Sequence, residues 1–346
     1  MPFPLLFLFS ALAIAGPAEF LPVIQKPGAE TKKLSAKNAQ DFPKILEKIT
    51  GLLLYKEYQN GPLGEETGED PDPLYRLDVF DCTTFLETVM ANAICTEAGT
   101  AKPACLREKM QAIRYAGKEV NFTSRNHIPE LDWLPNNVRK GFLRDLHGIL
   151  FPGAPEWKSA LPSMDRDAWL ATKMKEPPAK TGKSEAPGLN FLPFSYFFEP
   201  VKMDEKELAA LKATLAAAKK EFDEKKQMAG VTEEEKADLD INSFHADLEF
   251  LKKTQTPIEE RLRAIPSGTV LNLVHAPWKS AAKAKLLPMI THQGLILQLP
   301  DGAYIRHAAP NNKHVSSQKL GDYLRRYLRT TNYRGISLYQ ILPPVL

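Results

Sequence analysis

The run Leu77-Asp78-Val79-Phe80-Asp81-Cys82-Thr83-Thr84-Phe85-Leu86-Glu87-Thr88-Val89-Met90-Ala91 passes from β-favouring residues into an apolar pattern at helical spacing. Phe85, Val89 and Ala93 recur along it, flanked by Leu86 and Met90, so a helix is predicted to begin beside Cys82 with Asp81 as its N-cap. A thiol at a helix N-terminus faces unpaired N–H groups and the positive end of the helix dipole. Both favour thiolate, lowering a pKa that is ordinarily about 8.5. The plainer reading of Cys82 is a small buried side chain packing like alanine. The rest of the chain discriminates between the two.

The chain has three cysteines, an odd number, so at least one is left outside any intramolecular disulfide. Cys95 and Cys105 flank the turn-rich stretch Glu97-Ala98-Gly99-Thr100-Ala101-Lys102-Pro103, a spacing that suits a local bridge between the end of the Cys82 helix and the next element. Cys82 is then the remaining thiol. Residues 5–15 form an apolar run too short to span a bilayer, and it closes on Ala13-Ile14-Ala15, the small-x-small pattern of signal-peptidase cleavage. Residues 1–15 are therefore expected to be a signal peptide and the protein to be exported, periplasmic or secreted, with no stable membrane insertion after cleavage. An unbridged thiol in an oxidising compartment is a liability unless it is used, which favours a catalytic role.

At 346 residues with 43% hydrophobic content, the chain can bury a full core. A formal charge of +3 without a long basic run leaves no electrostatic footprint for nucleic acid. Residues 42–54 show helical periodicity through Ile45, Ile49, Leu52 and Leu53, and a turn-rich loop follows from Asn60-Gly61-Pro62 to Asp72-Pro73. Residues 151–198 read as irregular, partly extended chain around an aromatic cluster at 191–198. Between 203 and 254, Leu208, Leu211, Leu215, Ala218 and Phe222, then Ala237, Ile241, Phe244, Leu248 and Leu251, alternate by three and four. This predicts a helical hairpin whose apolar seams bury one another, broken at Gly230 and restarted by a Thr232/Glu235 capping box. The pattern then turns to β at 269–274, 289–299 and 303–308, with a Pro300-Asp301-Gly302 turn, an amphipathic helix at 317–327 and a last strand at 337–342. Helical early and antiparallel β late, the chain is assigned to the α+β class.

A thiol nucleophile needs a base within reach and a third group to orient that base. Of seven histidines, His292 stands in Thr291-His292-Gln293-Gly294-Leu295 and His307 in Ile305-Arg306-His307-Ala308-Ala309. Alternation puts His292 on one strand face with Ile290 and Gly294, and a hairpin through Asp301-Gly302 can bring His307 to the neighbouring strand. A third polar and aromatic cluster, Arg125-Asn126-His127 with Asp132-Trp133, is dense for a plain connector. Histidine, aspartate and cysteine are potential zinc ligands, but no His-Glu-x-x-His helix or Cys-x-x-Cys knuckle appears, so no metal and no cofactor are expected. The structural alternative for the cluster is an ion pair of Arg125 with Asp132 beneath Trp133.

Taken together, Phe80-Asp81-Cys82-Thr83-Thr84-Phe85-Leu86-Glu87, Arg125-Asn126-His127 with Asp132-Trp133, His292-Gln293-Gly294-Leu295 and His307-Ala308-Ala309 resemble the papain-like cell-wall hydrolases of the NlpC type, in their N-acetylmuramoyl-L-alanine amidase-like branch. The resemblance covers roughly residues 40–150 and 257–342. It implies a papain-like α+β domain over 40–342, with the nucleophile helix packed on an antiparallel sheet and an insert at 155–255 carrying the hairpin. It further implies Cys82 as nucleophile, His292 as general base, His307 as its orienter, and Asp81, Arg125, Asn126, His127 and Trp133 as substrate-binding residues. Peptidoglycan or muropeptide is the implied substrate, cleaved at the bond between N-acetylmuramic acid and L-alanine. The bond between D-glutamate and the diamino acid is the alternative within the same fold, and non-catalytic cell-wall binding the alternative outside it. Two departures stand out: valine is commoner than Gln293 in the family's His-x-Gly segment, and the insert is large for the branch.

Overall fold

A computed structural model describes residues 42–344 apart from 65–69, 71–75, 100–101, 155–157, 161–162, 178–182, 186–187, 229 and 277–288. The expected signal peptide at 1–15 lies outside the described residues, as does part of the loop before Cys82. Helix α1 (Phe42–Leu52) is followed by the short strands β1 (Glu57–Tyr58) and β2 (Val79–Phe80), which pair in parallel. From β2 the chain turns directly into α2 (Cys82–Glu97), then α3 (Pro103–Arg114), α4 (Leu134–Arg139) and strand β3 (Leu143–Asp145). The long helices α5 (Glu205–Lys226) and α6 (Glu233–Thr254) follow. The C-terminal third holds β4 (Thr269–His275), β5 (Ile290–Leu299), β6 (Gly302–Ala309), β7 (His314–Lys319), helix α7 (Leu320–Arg325) and β8 (Tyr333–Ile341). Eight strands make one mixed sheet in the order β2-β1-β7-β6-β5-β4-β8-β3, antiparallel at every pairing except β1 with β2. The α+β assignment holds.

Period-two alternation divides the sheet's side chains between two cores. On one face Val270, Leu295, Leu297, Ala308 and Val315 meet α1 and α2 through Leu46, Phe85, Val89 and Met90. On the other, Leu271, Leu273, Ile296, Ile305 and Ile336 meet α7 through Leu320, Tyr323 and Leu324. Helix α2 is buried almost along its whole length from Thr84 to Cys95, the expected fate of a helix with little polar surface. Asp81 caps it: its carboxylate accepts from the Thr84 N–H at 2.7 Å, while the Thr84 hydroxyl accepts from the Asp81 N–H at 3.0 Å.

Cys95 and Cys105 form the expected disulfide, with Cα atoms 6.0 Å apart, and it ties the end of α2 to the start of α3. Farther along, α2 and α3 are joined again by a buried ion pair, Arg114 Nε to Glu87 at 2.7 Å. The predicted hairpin is present as α5 and α6, with Gly230 at φ +90° and the Thr232/Glu235 capping box in place. Its seams are more open than expected. Leu215 and Leu251 are buried, but Ile241 and Phe244 remain exposed, because two helices without a third layer can cover only part of each other's apolar stripe. A Lys219–Asp247 ion pair at 2.6 Å crosses the hairpin instead.

One further expectation changes. The amphipathic pattern at 317–327 is split between β7 and the shorter α7, since residues 314–319 pair with β6 along its edge. The aromatic segment in the insert belongs to the packed body of the protein: Phe191, Leu192, Phe194 and Phe197 join the two cores, and Leu192 exchanges backbone hydrogen bonds of 2.9 and 2.8 Å with Ile336 on β8. Gly335 permits this approach, because a Cβ there would stand 2.0 Å from the Leu192 carbonyl oxygen.

Closing a loop of this size by a disulfide contributes about 3 kcal/mol in the chain-entropy account. The double variant Cys95→Ser/Cys105→Ser is therefore expected to lose about 2–3 kcal/mol of unfolding free energy while keeping its native-state activity. Urea unfolding monitored by circular dichroism measures the loss; an unchanged midpoint would mean that the Arg114–Glu87 pair already fixes α3 on α2.

Candidate active site

Cys82 opens α2, is half-buried and is outside any disulfide. Its neighbour Thr83 donates to Gln293 Oε1 on β5 at 2.9 Å, and the Gln293 amide donates in turn to Asn272 Oδ1 on β4 at 2.7 Å. This chain locks the first turn of α2 against the strand that carries His292, one residue from Gln293. The glutamine that departs from the more usual valine thus has a specific use. Glu130 holds the beginning of the same strand, its carboxylate accepting from the Met289 N–H.

His292 Nε2 lies 2.6 Å from His307 Nδ1, the rings edge to face with centroids 4.8 Å apart. The β5–β6 register pairs Leu295 with Arg306, so His307 falls across from Gly294, diagonal to His292 on the same face. Gly294 makes the pair possible: a Cβ there would meet Ile305 Cδ1 at 2.7 Å and His307 Cβ at 3.1 Å. On its far side His307 Nε2 stands 2.8 Å from the Gln318 side-chain amide on β7. Burial pushes His292 down to about 4. It also pushes His307 down to about 2, with the neighbouring His292 and then Arg326 adding to the effect. Both rings are neutral at neutral pH.

These histidines form one wall of a cleft of about 170 Å³, which Thr291, Gln318, Tyr323, Arg326, Tyr327 and Tyr333 help to line. Tyr323 packs its ring edge on His307, with centroids 5.2 Å apart, and its buried hydroxyl makes no well-formed hydrogen bond. Burial raises that hydroxyl well above its ordinary value, Tyr327 adds to the rise, and Cys82 is close enough to contribute. Tyr323 is thus the residue that lies close to both, packing on His307 and sensing Cys82, while Cys82 itself does not line the cleft. Nothing in the apolar spacing of Leu320, Tyr323, Leu324 and Tyr327 singled Tyr323 out, since it reads as a core stripe; Gln318 lay in a segment read as helix.

The residues of the second motif do not line this cleft. Trp133 is fully buried, donating its indole N–H to Glu87 at 3.2 Å. Arg125 is buried on Asp70 at 3.0 Å and donates to the Leu63 carbonyl at 3.1 Å, while Asp70 also accepts from Tyr115 at 2.5 Å. Asn126 donates to the Ile113 carbonyl at 3.0 Å and accepts from Asn136 at 2.5 Å. His127 bonds the Phe122 carbonyl at 2.6 Å and packs between Phe122 and Trp169, its pKa lowered by burial to about 3. Asp81 is spent on the cap, and burial raises its pKa. The structural alternative of an Arg125–Asp132 pair is not what forms: Asp132 pairs with Arg166 from the insert, and Arg125 with Asp70. Among the described residues, no group of three or more His, Cys, Asp and Glu converges on a point that could hold a metal ion.

The sequence profile of the AmiA-like family, described as N-acetylmuramoyl-L-alanine amidase-like, matches residues 48–331. The chain belongs to this family. Its fold resembles that of a Legionella pneumophila str. Philadelphia 1 protein at TM-score 0.62, with 18% identity over 87% of this chain and 89% of that one. It also resembles an N-acetylmuramoyl-L-alanine amidase from Bacteroides uniformis ATCC 8492 at TM-score 0.55, with 17% identity over 87% of this chain and 99% of that one. No curated protein matches the chain significantly. Among the described residues no helix is long and apolar enough to cross a membrane.

Two outcomes follow from this AmiA-like site. Gly294→Ala is expected to push His307 off His292 and cut kcat/KM at least about tenfold, with a cost in stability of about 1–3 kcal/mol for overpacking. Steady-state kinetics beside thermal melting tests this; full activity would mean that Ile305 absorbs the added carbon alone. A histidine with a depressed folded pKa takes up its proton more readily when unfolded, so stability is full above the ordinary value of 6.5 and is lost as pH falls toward the folded values of about 4 for His292 and about 3 for His127. Denaturation midpoints measured from pH 7 to pH 4 should fall steadily, and a flat profile would place charge on these rings in the native state.

Proposed function

We propose that this AmiA-like protein is an exported, papain-like cysteine amidase of the NlpC type that hydrolyses peptidoglycan fragments, most directly at the N-acetylmuramoyl-L-alanine amide bond. The observation that carries the reading is the bonded pair His292–His307 set against the α2 start through Thr83 and Gln293. Family membership and an amidase-named structural neighbour support the substrate class.

In this mechanism the Cys82 thiol loses its proton to His292 and the thiolate attacks the lactyl carbonyl carbon. Because Nε2 of His292 is engaged by His307, Nδ1 is the nitrogen left to the thiol. A base at Nδ1 must carry its proton on Nε2 and donate it to His307 Nδ1. His307 must then carry its own proton on Nε2. The structure sets the Gln318 amide nitrogen against that atom at 2.8 Å, so this relay requires a half-turn of the amide that brings its oxygen there, and Gln318 selects the tautomer. The oxyanion forms at the start of α2, where the Cys82 N–H and the positive helix end oppose its charge. Protonated His292 gives its proton to the departing amine. Water, deprotonated by the same ring, then cleaves the thioester and regenerates the thiol. Low-pKa histidines remain competent bases below pH 6.5, so the acid limb of kcat/KM belongs below the ordinary imidazole range.

Cys82→Ala and His292→Ala are expected to lower turnover of a muramyl peptide by at least about a thousandfold, and His307→Asn by less, since an orienter improves geometry that a base requires. Purified protein is incubated with muropeptides and the products identified by mass spectrometry. Release of the intact stem peptide with a free L-alanine amine supports the reading. Cleavage beyond D-glutamate moves the bond, and wild-type turnover by Cys82→Ala removes the nucleophile.

A further inference from the structure

The cleft beside the histidines holds a cation that the proposed chemistry does not use. Arg326 follows α7 directly, lines the cleft and is half-buried; its backbone N–H donates to Leu324, yet its guanidinium makes no hydrogen bond or ion pair with any described residue. The two neighbouring arginines are committed. Arg325 pairs with Asp322 and lies over the Phe198 ring, while Arg329 pairs with Asp247 at 2.9 Å and lies over the Phe250 ring. The residues lining the cleft include no aspartate or glutamate, but they do include the amide side chains of Asn312 and Gln318 and the tyrosines 323, 327 and 333. A half-buried guanidinium surrounded by neutral donors and lacking an anion of its own is a carboxylate receptor, because the planar fork matches a carboxylate in two parallel hydrogen bonds.

We propose that Arg326 is the substrate-carboxylate anchor of this enzyme, binding the free α-carboxylate of the γ-linked D-glutamyl residue of the stem peptide. The assignment rests on the muropeptide reading and sharpens it. L-alanine, on the leaving side of the scissile bond, has its own carboxyl taken up in the next amide, so the nearest free carboxylate sits one residue farther on. His292 and Arg326 share one cleft of about 170 Å³, which suits so short a span. Amidation of that carboxylate would remove the charge and one acceptor, making the anchor a specificity determinant between free and amidated stems.

The test uses two synthetic ligands, muramyl-L-alanyl-D-isoglutamate and its isoglutamine counterpart, each with its γ-carboxyl closed as a methylamide so that they differ only at the α-carboxylate, titrated calorimetrically into the full Cys82→Ala protein so that binding is read without turnover. A charge-assisted bidentate pair predicts at least about tenfold tighter binding of the isoglutamate ligand. Adding Arg326→Gln should abolish that preference while leaving affinity for the isoglutamine ligand nearly unchanged, and Arg326→Lys should retain part of it. Equal affinity of the Cys82→Ala protein for both ligands, binding of neither, or a preference that survives Arg326→Gln would overturn the anchor. Turnover of the same peptides by the unaltered protein separates the two readings. A preference in binding without cleavage of either peptide rejects the amidase assignment and keeps the anchor, whereas cleavage indifferent to the carboxylate does the reverse.

Discussion

Everything at the candidate site depends on one join, the docking of the first turn of α2 onto strands β4 and β5 through Thr83, Gln293 and Asn272. A helix N-terminus has polar groups that must be satisfied, and here the Asp81–Thr84 capping box satisfies the backbone while Thr83 reaches sideways to the sheet. The buried glutamine is two-faced: its oxygen accepts from the helix and its nitrogen donates to the next strand. An apolar residue at 293 would fill the space but could make neither bond. The position of Cys82 relative to His292 is therefore set by hydrogen-bond geometry, with the apolar body of α2 supplying adhesion and the polar join supplying register.

Around this join the fold holds polar groups where burial is expensive. Glu87 accepts from both Arg114 and Trp133, and Asp70 from both Arg125 and Tyr115. Such pairs add little net stability over an apolar packing of similar shape, but breaking one typically costs about 3–5 kcal/mol, because the remaining charge is stranded. They act as locating pins. They fix α3 and the Pro129–Trp133 turn on α2, so the second motif shapes the frame behind the cleft from within the protein.

The histidine pair shows the same logic turned to chemistry. Burial keeps both rings neutral, and a neutral pair can pass a proton along one line of nitrogens only if the tautomers agree. Gly294 sets the spacing of the pair and Gln318 its polarity, so two residues that do not titrate set the geometry and tautomers on which the proposed relay depends.

Much of this was legible in the chain itself. The Asp81 cap, the Cys82 helix, the Cys95–Cys105 bridge, the 203–254 hairpin and the strands bearing His292 and His307 are written in local periodicity and turn chemistry, which act over a few residues and need no partner to be read. What surrounds those elements was not. Arg125, Asn126 and Trp133 looked like surface chemistry and are buried bonds; Arg125 chose Asp70 rather than Asp132, and the insert's Phe191 and Phe194 entered the core. Gln318, Tyr323 and Arg326 carried no local signal, since their part in the site comes from β7 and α7 folding back beside β6. Local sequence determined which elements form and where they begin, because capping and periodicity are short-range. Only the tertiary structure decided which polar groups are paired inside and which face the cleft, because burial and charge pairing depend on residues brought together from more than two hundred positions apart, as Thr83 and Gln293 are.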